Sequence, residues 1–346
     1  MISLLSFLLV IAICVIAHEG GHYFAARWCD IQVHEFAFGM GPSLFSRKKG
    51  ETLWSFRLFP VGGFVRLAGM EEEREGEEIV DERRTFPLKT PFQRFIVLAS
   101  GASVNLFLAF FLTALLLWGK GVADLDSTKI GSLMEGFPAQ SLGLEAGDEI
   151  LAINGETLKN WNTLSALLQK EAAKGPIDLD VRRGESQFSI HASIPVDAAH
   201  GVPLLGIRPP VILYPFHKAL LRAFSYVWHL GVDIIRGIVS WIFGHTDVTM
   251  TGPVGIAGMA GEAVRQGFWS FLSFLAVINL HLGILNLIPF PALDGGRIVF
   301  VLGEMILGRK MSSKWENAIH LAGFVVLIGL ILLVTWSDLW KLAKTP

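Results

Sequence analysis

His18, Glu19 and His22 have the residue types and the spacing of a metal site. In a helix, residues i and i+4 share one face, so the imidazoles of His18 and His22 can reach a single ion. Glu19 falls beside the first of them, where a carboxylate can take a proton from metal-activated water. The implied chemistry is zinc-dependent hydrolysis. Two histidines and a carboxylate at the end of an apolar run are costly unless ligated or paired. Histidines merely snorkelling to an interface would explain neither Glu19 nor the pair Gly20-Gly21. Each of those glycines costs about 1 kcal/mol against alanine in a helix. Their missing side chains would let a substrate backbone come close to the metal.

Catalytic zinc takes three protein ligands and keeps one position for water. The third ligand should be a His, Asp or Glu at membrane depth. The strongest candidate is Asp294, within Asn286-Leu-Ile-Pro-Phe-Pro-Ala-Leu-Asp-Gly-Gly-Arg297. Pro289 and Pro291 break the surrounding apolar helix, and broken backbone at that depth must line protein or water. The bland alternative for Asp294-Gly295 is a plain turn. Asn286 could donate to a substrate carbonyl or a developing oxyanion, whereas Asn279 and His281 read as polar helix contacts. Cys14 and Cys29, the only cysteines, suggest neither a disulfide nor a thiolate zinc site.

The elements that must position these groups are membrane helices. Of 346 residues, 52% are hydrophobic and 17% charged, too little charge to cover several globular surfaces. A net charge of -2 without a basic stripe gives no sign of a nucleic-acid partner. A lipid span needs about 20 apolar residues. Four runs qualify: residues 1–29 carrying the histidines, 95–118, 268–297 with its proline break, and 319–340. The first lacks a basic leader and reads as a permanent helix rather than a removable signal.

Between the first two spans, residues 30–94 form a membrane-associated β region with an acidic loop. Leu53–Phe59 and Gly63–Leu67 alternate as strands of a hairpin or small sheet around Pro60 and Gly62, and residues 71–82 read as a solvated loop. Residues 120–210 form one soluble, β-rich domain with a helix over 161–171 that places Leu164, Leu167 and Leu168 on one face. Residues 216–243 read as an amphipathic interfacial helix, with a fifth span as the alternative. Lys and Arg are denser in 30–94 than in 120–210, which puts the β region in the cytoplasm and the soluble domain outside. The fold class is thus an α-helical polytopic membrane protein with four transmembrane helices, a membrane-associated β region and one inserted soluble domain.

HEGGH followed by Tyr23-Phe-Ala-Ala-Arg27, together with the Asn286–Arg297 run, resembles the site-2 protease family of intramembrane metalloproteases, in particular its bacterial branch for regulated intramembrane proteolysis. Phe38–Pro42, Val61–Arg66 and the stretch from Phe86 to Asn105 look like that branch's β region and second span. Gly136–Gly155 resembles a PDZ domain. The resemblance implies Zn2+ on His18, His22 and Asp294, Glu19 as general base, and Asn286 as a substrate-positioning residue. It implies single-pass transmembrane substrates already trimmed by another protease, such as anti-sigma factors or remnant signal peptides. It implies a bacterial cytoplasmic (inner) membrane protein with the PDZ domain outside, acting as a size filter or peptide-sensing gate; a purely structural cap stays open. Two positions depart from the branch: Ala102 stands where proline is usual, and His281 where asparagine is common. The branch's best-known Gram-negative members carry two PDZ domains, whereas one is found in this chain. Two alternatives belong to other classes. A metal transporter would spread its ligands over several spans, and a non-catalytic PDZ membrane adaptor would carry a broken motif.

Overall fold

The computed structural model describes residues 2–70, 79–197, 201–244, 251–310 and 312–344. The part of the expected acidic loop at 71–78 lies outside the described residues. Among the described residues, four helices are long and apolar enough to cross a membrane: α1 (Ile2–Trp28), α2 (Pro91–Gly119), α7 (Phe268–Leu287) and the stretch Trp315–Lys341 within α9 (Ser313–Lys344). Such helices satisfy their own backbone groups, which lipid cannot. Their outward faces carry exposed apolar side chains such as Leu5, Phe107, Phe324 and Leu333. Inward, Val10 and Cys14 of α1 pack with Leu112 of α2 and with Leu272, Leu275 and Ala276 of α7.

Two compact units make up the chain, residues 1–116 with 218–346, and residues 117–217. In the first unit, the β region consists of two long bent strands, β1 (Val33–Lys49) and β2 (Thr52–Leu67). The sequence allows Leu53–Phe59 and Gly63–Leu67 either to pair as a hairpin or to share a small sheet, and the second holds. Both halves of β2 pair antiparallel with the first half of β1, so that Glu35–Phe38 lies between Leu53–Phe56 and Gly63–Arg66. The turn falls at residues 50–51, with Gly50 at φ +65. Pro60 and Gly62 instead bend β2 around β1, and Gly39 and Gly41, both at positive φ, bend β1 in turn.

After α7, the chain breaks at residues 288–293 and restarts as α8 (Asp294–Leu307), so Asp294 occupies a helix start. Residues 216–242 do form one helix, α5 (Phe216–Ile242), whose Val227, Leu230 and Ile234 pack on Ala109, Leu280 and Ile284. A further helix, α6 (Pro253–Arg265), was not anticipated. It begins with proline at its first turn and runs against α1, where Gly261 meets the backbone of Ser3.

In the second unit, β5 (Glu149–Ile153), β6 (Glu156–Thr157), β7 (Ile177–Arg183) and β8 (Ser186–Ala192) form an antiparallel sheet in the order β6-β5-β7-β8. Two short ladders accompany it, β3 (Val122–Ala123) with β10 (Val211–Ile212) and β4 (Ser132–Leu133) with β9 (Ile207–Arg208). The short helix α3 (Pro138–Ser141) and the longer α4 (Trp161–Ala172) complete it. Asn160 caps α4 through the Thr163 N–H, and Leu164, Leu167 and Leu168 face the core as their spacing predicts.

Candidate active site

α1 carries His18, Glu19 and His22 on its last turns, and α8 brings Asp294 to them. The Oδ2 atom of Asp294 lies 3.1 Å from Nε2 of His18 and 3.3 Å from Nε2 of His22. The two Nε2 atoms are 3.2 Å apart. Three ligand atoms therefore form a nearly equilateral triangle, and the side chains are only 12% and 20% exposed.

The hydrogen bonds around the triangle decide what it can hold. Nδ1 of His22 donates to the Val97 carbonyl of α2 at 2.8 Å, so the neutral ring presents the lone pair of Nε2 inward. Asn105, fully buried on α2, brings its amide Nδ2 within 3.4 Å of Nδ1 of His18 and packs against that ring from the neighbouring helix. The buried Oδ2 of Asp294 has no hydrogen-bond donor. Two imidazole nitrogens and a carboxylate oxygen gathered in one buried pocket are a donor set that a single cation would hold together. Zinc bonds of 2.0–2.1 Å in tetrahedral geometry separate neighbouring ligand atoms by about 3.3 Å. The observed spacing fits that ion.

Glycine makes the approach of α1 to α2 possible. A Cβ on Gly101 would overlap the His22 imidazole, and one on Gly21 would lie 2.5 Å from the Ser100 carbonyl oxygen. Gly21 is therefore a helix-packing residue, not an opening for substrate. Gly20 fits the expected opening better, since nothing lies within 4 Å of a Cβ there.

Glu19 sits between the histidines and the β region. The backbone N–H of Val65 in β2 faces its carboxylate. Gly63 comes so close that a Cβ would stand 3.2 Å from the Glu19 Cγ. The edge of β2 thus runs along the turn of α1 that carries Glu19. Asn286 lies half-buried on the last turn of α7, and among the described residues no hydrogen bond ties it to the triangle. Asn279 is buried and donates to the Leu275 carbonyl at 2.8 Å, and His281 bonds the Val277 carbonyl at 2.9 Å. Asn279 also meets the Cys14 thiol of α1, so it joins two helices, whereas the bond given for His281 stays within α7.

Sequence reasoning did not assign roles to Val97 or Asn105. Asn105 left a signal, since a wholly buried amide in a lipid span is expensive without a task; Val97 acts through its backbone and left none.

The sequence profile of peptidase family M50 matches residues 6–330. The chain belongs to this family. Relatives match it over nearly their whole length. A candidate zinc metalloprotease of Clostridium perfringens is 35% identical over 336 residues, which is 96% of this chain and 97% of the relative. The zinc metalloprotease RasP of Geobacillus kaustophilus is 28% identical over 420 residues, covering 98% of both chains. The regulator of sigma-W protease RasP of Bacillus subtilis is 28% identical over 98% of this chain and 99% of its own. Among solved structures, the PDZ domain of an SdrC-like protein from Listeria monocytogenes aligns with 24% of this chain and 85% of its own, at 22% identity and a TM-score of 0.21. As a member of family M50, the chain is a zinc metalloprotease and a multi-pass membrane protein, with Zn2+ as cofactor and membrane proteins as substrates.

Proposed function

We propose that the protein cleaves peptide bonds within the membrane segments of single-pass proteins, with His18, His22 and Asp294 holding zinc and Glu19 as general base. The observation that carries this reading is the buried triangle of Nε2, Nε2 and Oδ2 atoms with 3.1–3.3 Å sides. Bound zinc polarises a carbonyl and acidifies water. The carboxylate of Glu19, next to His18 on the same helix, accepts the proton and returns it to the leaving amine. Asn286 would hold the substrate carbonyl once substrate is present.

A helical substrate segment hides its amides, so it must first be drawn into extended form. The edge of β2 at Gly63–Arg66 runs beside Glu19, and an extended segment could add to it as a further strand. Within residues 117–217, a cleft of about 70 Å³ lies between α4 and Pro203–Ile207, lined by Trp161, Leu164 and Leu168. It suits an extended peptide end, which supports a peptide-sensing role for this PDZ-like unit. The Lys and Arg distribution supports a bacterial cytoplasmic membrane location with that unit outside. The name of the Bacillus relative, a regulator of sigma-W protease, supports a substrate that controls a sigma factor, and anti-sigma factors trimmed by an earlier protease fit that class.

Glu19→Gln tests the reading. The variant should keep its zinc yet lose cleavage of a model single-pass substrate in proteoliposomes by at least about a thousandfold. Near-normal turnover would remove Glu19 from the reaction.

A further inference from the structure

The last span, α9, touches the loop before Asp294 at two points that no catalytic step requires. Nδ1 of His320 accepts the Ala292 N–H at 3.1 Å. Three residues on, Gly323 lies flush against the loop, so that a Cβ there would overlap Pro291. Between these contacts the backbone is strained. Ala292 has φ +80, a region that residues with side chains avoid unless their surroundings hold them.

The loop cannot satisfy that amide by itself. Phe290 donates to the Ile288 carbonyl at 2.7 Å and Leu293 to the Phe290 carbonyl at 3.1 Å, while Pro289 and Pro291 have no N–H. Ala292 needs an acceptor from another element. The His320 ring is buried, packed edge-on against Phe300 of α8 at 5.5 Å, and must be neutral with its proton on Nε2 to accept there.

We propose that His320 is a positioning residue for Asp294. By accepting the Ala292 N–H it fixes the left-handed residue that turns the chain from α7 into α8, and so sets where the Asp294 carboxylate stands. This rests on Asp294 being a zinc ligand. Without the acceptor, the loop relaxes at Ala292 and the first turn of α8 shifts. The Oδ2 atom then leaves the triangle it forms with His18 and His22. His320 and Gly323 thereby act as a clamp, one residue supplying a lone pair and the other a bare Cα.

Zinc release from the purified full-length protein, chased with excess chelator, separates this role from simple packing. His320→Asn keeps an acceptor at the Nδ1 position but loses the ring; His320→Phe keeps the ring and its contact with Phe300 but loses the acceptor. The phenylalanine variant should release zinc about tenfold to a hundredfold faster than the wild type. The asparagine variant should stay within about threefold of it, on the same scale. His320→Leu, also without an acceptor, should follow phenylalanine. Wild-type release from the phenylalanine and leucine variants, or equal acceleration in asparagine and phenylalanine, overturns the proposal. Asp294→Ala is measured alongside: retained zinc there defeats the metal site itself, whereas zinc lost there with no effect at His320 defeats only the positioning role.

Discussion

The imidazole of His22 rests on the bare Cα of Gly101, with no room between them for a methyl group. One missing side chain on α2 thus sets the depth at which the proposed ligand of α1 can sit, while the Val97 carbonyl four residues earlier fixes the rotation of the same ring. Gly101→Ala should displace His22 and lower zinc affinity by about tenfold to a hundredfold. Competition with a fluorescent chelator measures it. Gly20→Ala, where space is open, should leave zinc affinity unchanged and favour the helix by up to about 1 kcal/mol.

Asn105 offers a second handle on the same centre. Its amide meets His18 from beneath, fully buried in a lipid span. Asn105→Ala frees the ring to turn, so zinc affinity should fall by about tenfold to a hundredfold while the helix itself, gaining alanine, stays formed. Circular dichroism and the same competition titration separate the two effects.

Arg94 and Glu304 tie α2 to α8 through an ion pair at 2.5 Å, with side chains 9% and 12% exposed. Removing one partner strands a buried charge, which costs about 3–5 kcal/mol. Glu304→Ala should therefore lower the thermal midpoint well below that of the double variant Arg94→Met with Glu304→Leu, in which neither charge remains. A double variant as unstable as the single one would mean that the pair contributes through shape alone.

In residues 117–217, Asp148 is buried and receives two hydrogen bonds from Arg183, at 2.7 and 2.8 Å, and a third from the Glu145 N–H. The Arg183 guanidinium, aided by that N–H, holds its carboxyl below the usual carboxylate range. A carboxyl depressed by folding adds stability that is complete above its unfolded value, about 3.9, and is lost as pH falls below it. Amide-exchange protection of Glu149–Ile153 should hold above about pH 4 and fall as the pH drops below it in the wild type. In Asp148→Asn it should be lower throughout and flatter across that range.

The helical spans and the histidine pair were legible because their signals are local: apolar length, a four-residue spacing, two prolines breaking a span. Asp294 was legible for the same reason, since a carboxylate after Pro289 and Pro291 has few other uses at that depth. What escaped was set by neighbours far along the chain. Gly21 reads as an opening until Ser100 is placed against it. The halves of β2 read as strands of a hairpin or of a small sheet, because alternation marks strands but not which strand lies between them. Helix α6 has a single proline signal, and His320 looks like a lone polar residue in a span until Ala292 needs its lone pair.

Zinc K-edge absorption spectroscopy on the purified, detergent-solubilised protein tests the central claim most directly. It should find one zinc per chain bound by two imidazoles and a carboxylate at about 2.0–2.2 Å, with the carboxylate contribution absent and zinc content reduced in Asp294→Ala. An unaltered spectrum at full zinc content in that variant would contradict the account.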